Sequence, residues 1–335
     1  MKLPEPKQLP SGNWFIRLRL GGENIPVTKP TKEECKNTAR LIKAEYKAGK
    51  RVARCTKTLN TAIDDYIKDS ILSPSTIRGY RMIQKHRFQS VIDKPVNSIN
   101  WKRAIAKESK LCSPKTLKNA WGFIRSVLRE AGEEPPNVNL PQVIPKETKF
   151  LQPDEIPVFI AAVRGKPCEA PALLALHSLR LSEILALRGC DIQNGVIRVR
   201  GAAVKDEHDK LVQKKENKNS SSRRDIPILI DRLNDFNFPN DETLIVNAEA
   251  NSLRRQINTV CRKAGLPEVN IHGLRHSFAS ACYFLHIPSK TTMLLGGWSD
   301  DGTMNRIYTH LAKKELEKDV TALTAFFQNG NGFAL

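Results

Sequence analysis

Acidic residues are scarce in this sequence, and several common chemical signatures are missing. The 335 residues hold 54 Lys and Arg against 35 Asp and Glu, a formal net charge of +19. Such an excess favours a polyanionic partner, by direct attraction and by counterion release from nucleic acid. Charge alone does not separate nucleic acid from an anionic membrane surface. No apolar run approaches the roughly 20 residues that span a bilayer, so no membrane partner is expected. The opening Met1-Lys-Leu-Pro-Glu-Pro6 lacks the apolar stretch of a secretory signal. The seven cysteines, at 35, 55, 112, 168, 190, 261 and 282, form no Cys-x-x-Cys pair, which argues against a disulfide framework and a structural zinc site. There is no Gly-x-x-x-x-Gly-Lys-Ser/Thr loop, so no bound nucleotide is expected. These absences predict a cytoplasmic protein with reduced thiols and no cofactor. The length is enough for two or three domains, each with its own core.

Residues 1–52 read as a small β-β-α unit. Trp14-Phe-Ile-Arg-Leu-Arg-Leu20 places Arg17 and Arg19 on one face of a strand and Ile16, Leu18 and Leu20 on the other. Gly21-Gly22 supplies a turn, and Asn24 to Thr28 a returning strand. Thr31 and Glu34 have the spacing of a capping box, opening a helix through about Lys47. A basic linker, Lys50 to Arg54, leads to a helical region over 56–135. Ser73-Pro74 and Ser113-Pro114 are matching helix starts, with proline suited to the first turn. The first of these helices carries Arg78, Arg81, Lys85 and Arg87 among Ile77, Tyr80 and Ile83. The second turns Trp121, Ile124, Val127 and Leu128 inward and Lys115, Lys118, Arg125 and Arg129 outward. Ordinary solvation accounts for any one such basic face, whereas the repeated polarity fits a bundle that faces DNA. Four prolines between Pro135 and Pro145 mark a linker, with the boundary near 145–150.

The last segment, 148–335, carries the residues with chemistry. Pro171 to Leu187 reads as one apolar helical stretch, interrupted by Arg180 with Glu183 three residues on. A surface ion pair would be worth a few tenths of a kcal/mol. The flanking Leu179, Leu181, Ile184 and Leu185 favour a partly buried arginine, which needs a partner. Gly195 to Gly201, Leu211 to Lys214 and Arg224 to Ile228 read as strands. Between the last two lies a polar, lysine-rich loop. Ser252 to Ala264 is a basic helix. His272 and Arg275 then share a helical face and could hold a phosphate between them. His276, four residues after His272, has the spacing of a zinc pair, but Gly273 stands where a zinc protease has Glu, and no third ligand follows. Leu295-Gly-Gly-Trp298 and Tyr308 come next, then an amphipathic helix from Leu316 to Phe327 with an apolar tail.

In this order, Arg180-x-x-Glu183, the lysine loop, His272-x-x-Arg275, Trp298 and Tyr308 resemble the active-site motifs of the tyrosine recombinases, the integrase family. Ser178 stands where that family more often has glycine, and Trp298 where it more often has histidine. The resemblance implies a multidomain α+β fold: an arm-type DNA-binding domain over 1–52, a helical core-binding domain over 56–135, and a mainly helical catalytic domain with a small antiparallel sheet over 148–335. It implies a site-specific recombinase that forms a 3′-phosphotyrosine on Tyr308 without metal or ATP. Arg180 and Arg275 would hold the phosphate, with Glu183 orienting Arg180. Lys218 would protonate the leaving oxygen, with Lys215 as the alternative. His272 would move the phenolic proton, and Trp298 would bind a phosphate oxygen or buttress the tyrosine. The implied partner is double-stranded DNA with core and arm sites, contacted by Arg17, Arg19, Arg78, Arg81, Lys118 and Arg125. A homotetramer on DNA and an accessory DNA-bending or directionality factor are further implied partners. Two readings stay open at this point, a non-catalytic DNA-binding regulator and a type IB-like topoisomerase.

Overall fold

The structure, a computed structural model, describes residues 3–20, 23–48, 57–144, 148–214, 223–299, 302, 320, 321 and 323–327. The chain divides into two units, residues 1–145 and 146–335.

The first unit holds two apolar clusters. In one, strands β2 (Trp14–Leu20) and β3 (Glu23–Lys29) pair antiparallel with Arg17 opposite Pro26, and a short β1 (Lys7–Gln8) adds a third strand at the β2 edge. That edge strand has no alternating pattern of its own to announce it. Ile16, Leu18 and Leu20 meet Cys35 and Ala39 of helix α1 (Lys32–Lys47), while Arg17 and Arg19 are exposed on the opposite face. Thr31 caps α1, its hydroxyl accepting the Glu34 N–H at 3.2 Å. The Gly21-Gly22 turn and the linker from Lys50 to Arg54 lie outside the described residues.

The other cluster joins helices α2 (Leu59–Asp69), α3 (Pro74–His86), α4 (Trp101–Glu108) and α5 (Pro114–Glu130). Both Ser-Pro starts form as read: Ser73 and Ser113 accept the N–H of Thr76 and Thr116, at 3.3 and 3.2 Å. Helix α5 buries Leu117, Trp121, Ile124, Val127 and Leu128, and leaves Lys115, Lys118, Arg125 and Arg129 in solvent. The cations near α3 behave differently. Arg81 is ion-paired with Asp64 and bonds Gln84 Oε1 at 2.8 Å, and Arg78 is half-buried. Arg87 donates at 3.1 Å to the buried Glu108, whose other oxygen accepts the Phe88 N–H at 3.0 Å. Arg87 is therefore tied into the bundle.

The second unit wraps helices around small antiparallel sheets. Helices α6 (Glu155–Val163), α7 (Glu169–Leu176), α9 (Ala250–Lys263) and α10 (Ile271–Phe284) share one apolar core with strands β5 (Val196–Val199) and β8 (Arg224–Pro227). A short β4 (Ile192–Gln193) completes the sheet in the order β4-β5-β8, with Val199 opposite Arg224. Strands β6 (Ala202–Lys205) and β7 (Leu211–Lys214) form a separate hairpin. Asp206 closes its turn, its Oδ1 accepting the N–H of His208 and of Lys210, each at 2.9 Å.

The stretch from Pro171 to Leu187 is not one helix. Helix α7 stops at Leu176, Ser178 takes a left-handed φ of 66°, Arg180 is extended, and a four-residue helix α8 (Leu181–Ile184) follows. Apolar periodicity runs through the break because both sides of it are buried. His177 fixes the chain where the helix ends. Its Nδ1–H donates to the Leu173 carbonyl at 2.7 Å, and its Nε2 accepts the N–H of Leu229 at 2.9 Å and of Ile230 at 3.3 Å. Tertiary hydrogen bonds thus override local helical pattern. Among the described residues no helix is long and apolar enough to cross a membrane.

Candidate active site

Helix α10 is seated by small residues. Asn270 caps it, accepting the Gly273 N–H at 2.9 Å. A Cβ on Gly273 would sit 2.4 Å from the Lys149 carbonyl, so only glycine lets the helix lie against that strand of chain. Ser277 Oγ accepts the Leu151 N–H at 2.8 Å and donates to the Gly273 carbonyl at 3.0 Å. So fixed, the helix presents Arg275 to the break between α7 and α8.

Arg275 is 1% exposed, and its Nη1 donates to the Ser178 carbonyl. Its guanidinium lies 4.3 Å from the centroid of the Trp298 ring, a cation–π contact. Its Nη2 is buried without a hydrogen-bond partner among the described residues. Burial, then the charge of Arg180 and, less, that of Arg224, push its pKa down to about 8, against the opposing pull of Glu183. A cation so short of negative charge is stabilised by an anion beside Nη2.

Arg180 is the neighbouring cation. It is the N-cap of α8, not a residue on a helical face. Its Nη1 donates to Glu183 Oε1 at 2.7 Å, its Nη2 to the Gly297 carbonyl at 2.6 Å, and its backbone N–H to Glu183 Oε2 at 2.8 Å. The side chain remains 38% exposed, so its guanidinium is anchored yet open to a ligand. Glu183 is 3% exposed. Burial raises its pKa, but the hydrogen bond and charge of Arg224, with those of Arg180, bring it below the usual carboxylate range. It is a carboxylate at neutral pH.

The residue that the motifs do not announce is Arg224. Its Nε donates to the Leu295 carbonyl at 2.9 Å, its Nη1 to Glu183 Oε1 at 3.3 Å, and its Nη2 to Glu183 Oε2 at 3.0 Å and the Ser178 carbonyl at 3.1 Å. One signal was present in the sequence: strand alternation puts Arg224 on the same face as Ile226, which is buried. Ser178 accounts for the family's glycine at its position, since its left-handed φ costs a side chain about 1–2 kcal/mol.

Gly296 and Gly297 are also shaped by their neighbours. A Cβ on Gly296 would lie 1.9 Å from the Trp298 ring, and one on Gly297, at φ 62°, would lie 2.7 Å from Arg224 Nη1. Trp298 is 8% exposed and packs on Phe278 and Arg275, so its described contacts support the arginine. His272 stands at the solvent edge, with its Nε2 2.9 Å from His276 Nε2. Desolvation, then the charges of Arg275 and Arg180, lower its pKa, leaving a neutral imidazole able to accept a proton. Among the described residues no third His, Cys, Asp or Glu groups with this pair as metal ligands would. The site thus gathers Arg180, Glu183, Arg224, Arg275 and Trp298 by contact, with His272 within electrostatic reach. Lys218, Lys215 and Tyr308 lie outside the described residues, as does most of the segment from Leu316 to Phe327 and the apolar end at Phe333. Val320, Leu323, Phe326 and Phe327 are exposed helical residues.

Residues 149–315 match the model of the phage integrase family. A tyrosine recombinase XerC-like protein of Caldanaerobacter subterraneus subsp. tengcongensis is 29% identical over 79 residues, 24% of this chain and 20% of that protein. The alignment thus spans about a fifth of the curated relative's length. Two solved structures share the fold. The Tn1549 transposon integrase in complex with transposon right end DNA superposes with a TM-score of 0.59 at 16% identity, over 78% of this chain and 99% of that one. A lambda integrase tetramer bound to a Holliday junction gives 0.55 at 16% identity, over 91% and 94%. With Arg180, Glu183 and Trp298 gathered around the buried Arg275, and residues 149–315 matching the family model on this fold, the chain belongs to the phage integrase family of tyrosine recombinases.

Proposed function

We propose that this protein is a site-specific recombinase that cuts and rejoins double-stranded DNA through a 3′-phosphotyrosine on Tyr308. The observation that carries the reading is the pairing of Arg275, buried with Nη2 unbonded, with the half-open guanidinium of Arg180. Two fork-like cations suit the two non-bridging oxygens of a phosphodiester, whose charge must be neutralised as the pentavalent state forms. The carbonyls of Ser178 and Gly297 and the Glu183 carboxylate hold those forks in place. Water would solvate the same charge but would have to reorganise during the reaction, whereas these donors are already set.

The phenolic oxygen of Tyr308 attacks phosphorus, and His272, neutral at rest, takes the phenolic proton. The bond to the 5′ oxygen breaks, and Lys218, or Lys215, gives that oxygen a proton. The phosphotyrosine keeps the phosphoester bond, so a 5′-hydroxyl of another strand reseals it and returns the phenol. No nucleotide is consumed. Trp298 backs Arg275. The solved Tn1549 and lambda integrases are bound to DNA, and lambda integrase is seen as a tetramer. By that likeness the substrate here is duplex DNA, the working form a homotetramer, and the role integration or excision of a phage or mobile element, with an accessory DNA-bending or directionality factor. Residues 1–52 would bind arm sites through Arg17 and Arg19. Residues 56–135 would clamp the core site, with Lys118 and Arg125 on the exposed face of α5 and Arg78 and Arg81 on α3.

The test is covalent trapping on a nicked duplex carrying the direct repeat that flanks the gene. The wild type should give a protein–DNA adduct that survives denaturation. Tyr308→Phe should give none while its binding stays within about threefold, since the phenolic oxygen is one group among many contacts. Cleavage by Tyr308→Phe would refute the assignment. No adduct from the wild type would favour a regulator, and plasmid relaxation without strand exchange a topoisomerase.

A further inference from the structure

Arg224 lies outside the motif residues that carry the resemblance, yet every hydrogen bond described for it ends on the site. Its side chain is 6% exposed. One guanidinium reaches three stretches of chain that are far apart in sequence. It holds the Ser178 carbonyl, at the strained turn that leads into Arg180. It holds both oxygens of Glu183, the carboxylate that aims Arg180. It holds the Leu295 carbonyl, at the entry to Gly296, Gly297 and Trp298. The Ser178 carbonyl is also the acceptor of Arg275, so the two buried arginines are joined through one oxygen. Arg224 leads strand β8, locked opposite Val199, and follows directly on the sequence segment that contains Lys215 and Lys218.

We propose that Arg224 is a positioning residue for the reaction proposed above: it sets the distance and angle between Arg180 and Arg275, and so the shape of the phosphate pocket. Four of its donor bonds are spent on protein, which leaves the phosphate to the other two arginines. A lysine cannot replace it. An ammonium is a point charge and cannot reach the carbonyls of Leu295 and Ser178 and both Glu183 oxygens with a fixed fork. A phosphate pocket displaced by about 1 Å loses about 100-fold in rate even where binding survives. Most DNA contacts lie away from this pocket, so affinity is the wrong place to look for the effect.

This rests on the recombinase reading, and the experiment separates the two. Full-length wild type and Arg224→Lys are compared on the nicked duplex at saturating concentration. The variant should melt cooperatively, bind within about threefold, and form adduct about 100-fold more slowly. The acid limb of its pH–rate profile should move to higher pH, because Glu183 loses the pair of guanidinium hydrogen bonds that offset its burial and hold its pKa down. A rate within threefold of wild type, or an unmoved acid limb, overturns the proposal. Should the lysine variant not fold, Arg224→Gln takes its place under the same criteria. If neither folds, Arg224 is a residue of stability and the proposal falls. If the wild type forms no adduct, the recombinase reading fails, and tungstate decides the positioning claim alone. Tungstate should raise the wild-type melting temperature and bind at least tenfold more weakly to the variant. Equal binding, or none to the wild type, overturns it.

Discussion

Replacing Glu183 with glutamine changes one atom and should destabilise the second unit severely. The carboxylate is 3% exposed and accepts four hydrogen bonds, two from Arg180 and two from Arg224. An amide keeps the shape but turns one acceptor into a donor aimed at guanidinium N–H groups. It also removes the negative charge beside two arginines, one of them 6% exposed. Breaking a buried ion pair on one side costs about 3–5 kcal/mol. For a unit of this size that is a fall in melting temperature of roughly 6–20 °C, at 2–4 °C per kcal/mol. The cost has a pH signature. The folded-state pKa of Glu183 lies below its unfolded value, so its contribution is fully present above about pH 4.3 and is lost as pH falls through the folded pKa. Glutamine has no such dependence. Calorimetry of both proteins from pH 7 to pH 3 should therefore show a wide gap at neutral pH that closes in acid. A gap under about 1 kcal/mol at pH 7, against the expected 3–5, or one that widens in acid, would refute the four-bond account.

Three further outcomes follow from the same geometry. Ser178→Gly should stabilise the protein by about 1 kcal/mol, because it relieves the left-handed φ of 66° and removes a buried hydroxyl that has no partner among the described residues, set against added chain entropy; a loss of melting temperature would count against it. His177 is buried and neutral, with burial lowering its pKa, so the unfolded chain takes up its proton first and stability should decline as pH falls below about 6.5. That slope should become shallower in His177→Phe, whatever its absolute stability, with the lowered pKa of His272 supplying part of what is left, and an unchanged slope would assign it elsewhere. Deleting residues 1–52 should spare adduct formation on a core duplex and remove binding to arm repeats, with Arg17→Ala plus Arg19→Ala reproducing most of the loss; equal loss of core and arm binding in gel shifts would make the unit a structural cap.

The parts of the site that sequence showed were those where a residue type is unusual for its surroundings. A charged pair inside the apolar stretch from Pro171 to Leu187 marked Arg180 and Glu183, and His272, Arg275 and Trp298 stood in the family's order. The local geometry around them was hidden. The break at Ser178 follows from tertiary bonds to His177, Arg224 and Arg275, and apolar spacing reads the same on either side of it. Arg224 was masked by Arg223, since two adjacent arginines at the end of a polar loop differ only in which face of the coming strand each takes. Once the strand's inward face is known, period two chooses between them. In the bundle, Arg81 and Arg87 looked like any other surface cations, because their partners Asp64 and Glu108 are 17 and 21 residues away.

The packing of Gly296 against the Trp298 ring bears on how such a site can diverge. A methyl group at 296 would lie within 2.0 Å of two ring atoms, so the glycine and the tryptophan are acceptable only together. Histidine at 298, the family's more usual residue, is smaller and lacks the six-membered ring that fills this space. An alanine at 296 therefore becomes tolerable after the exchange at 298 and is excluded before it. Descent through these two positions has a direction: the aromatic residue must change first, and once alanine occupies 296 the return to tryptophan is closed until the methyl is lost again.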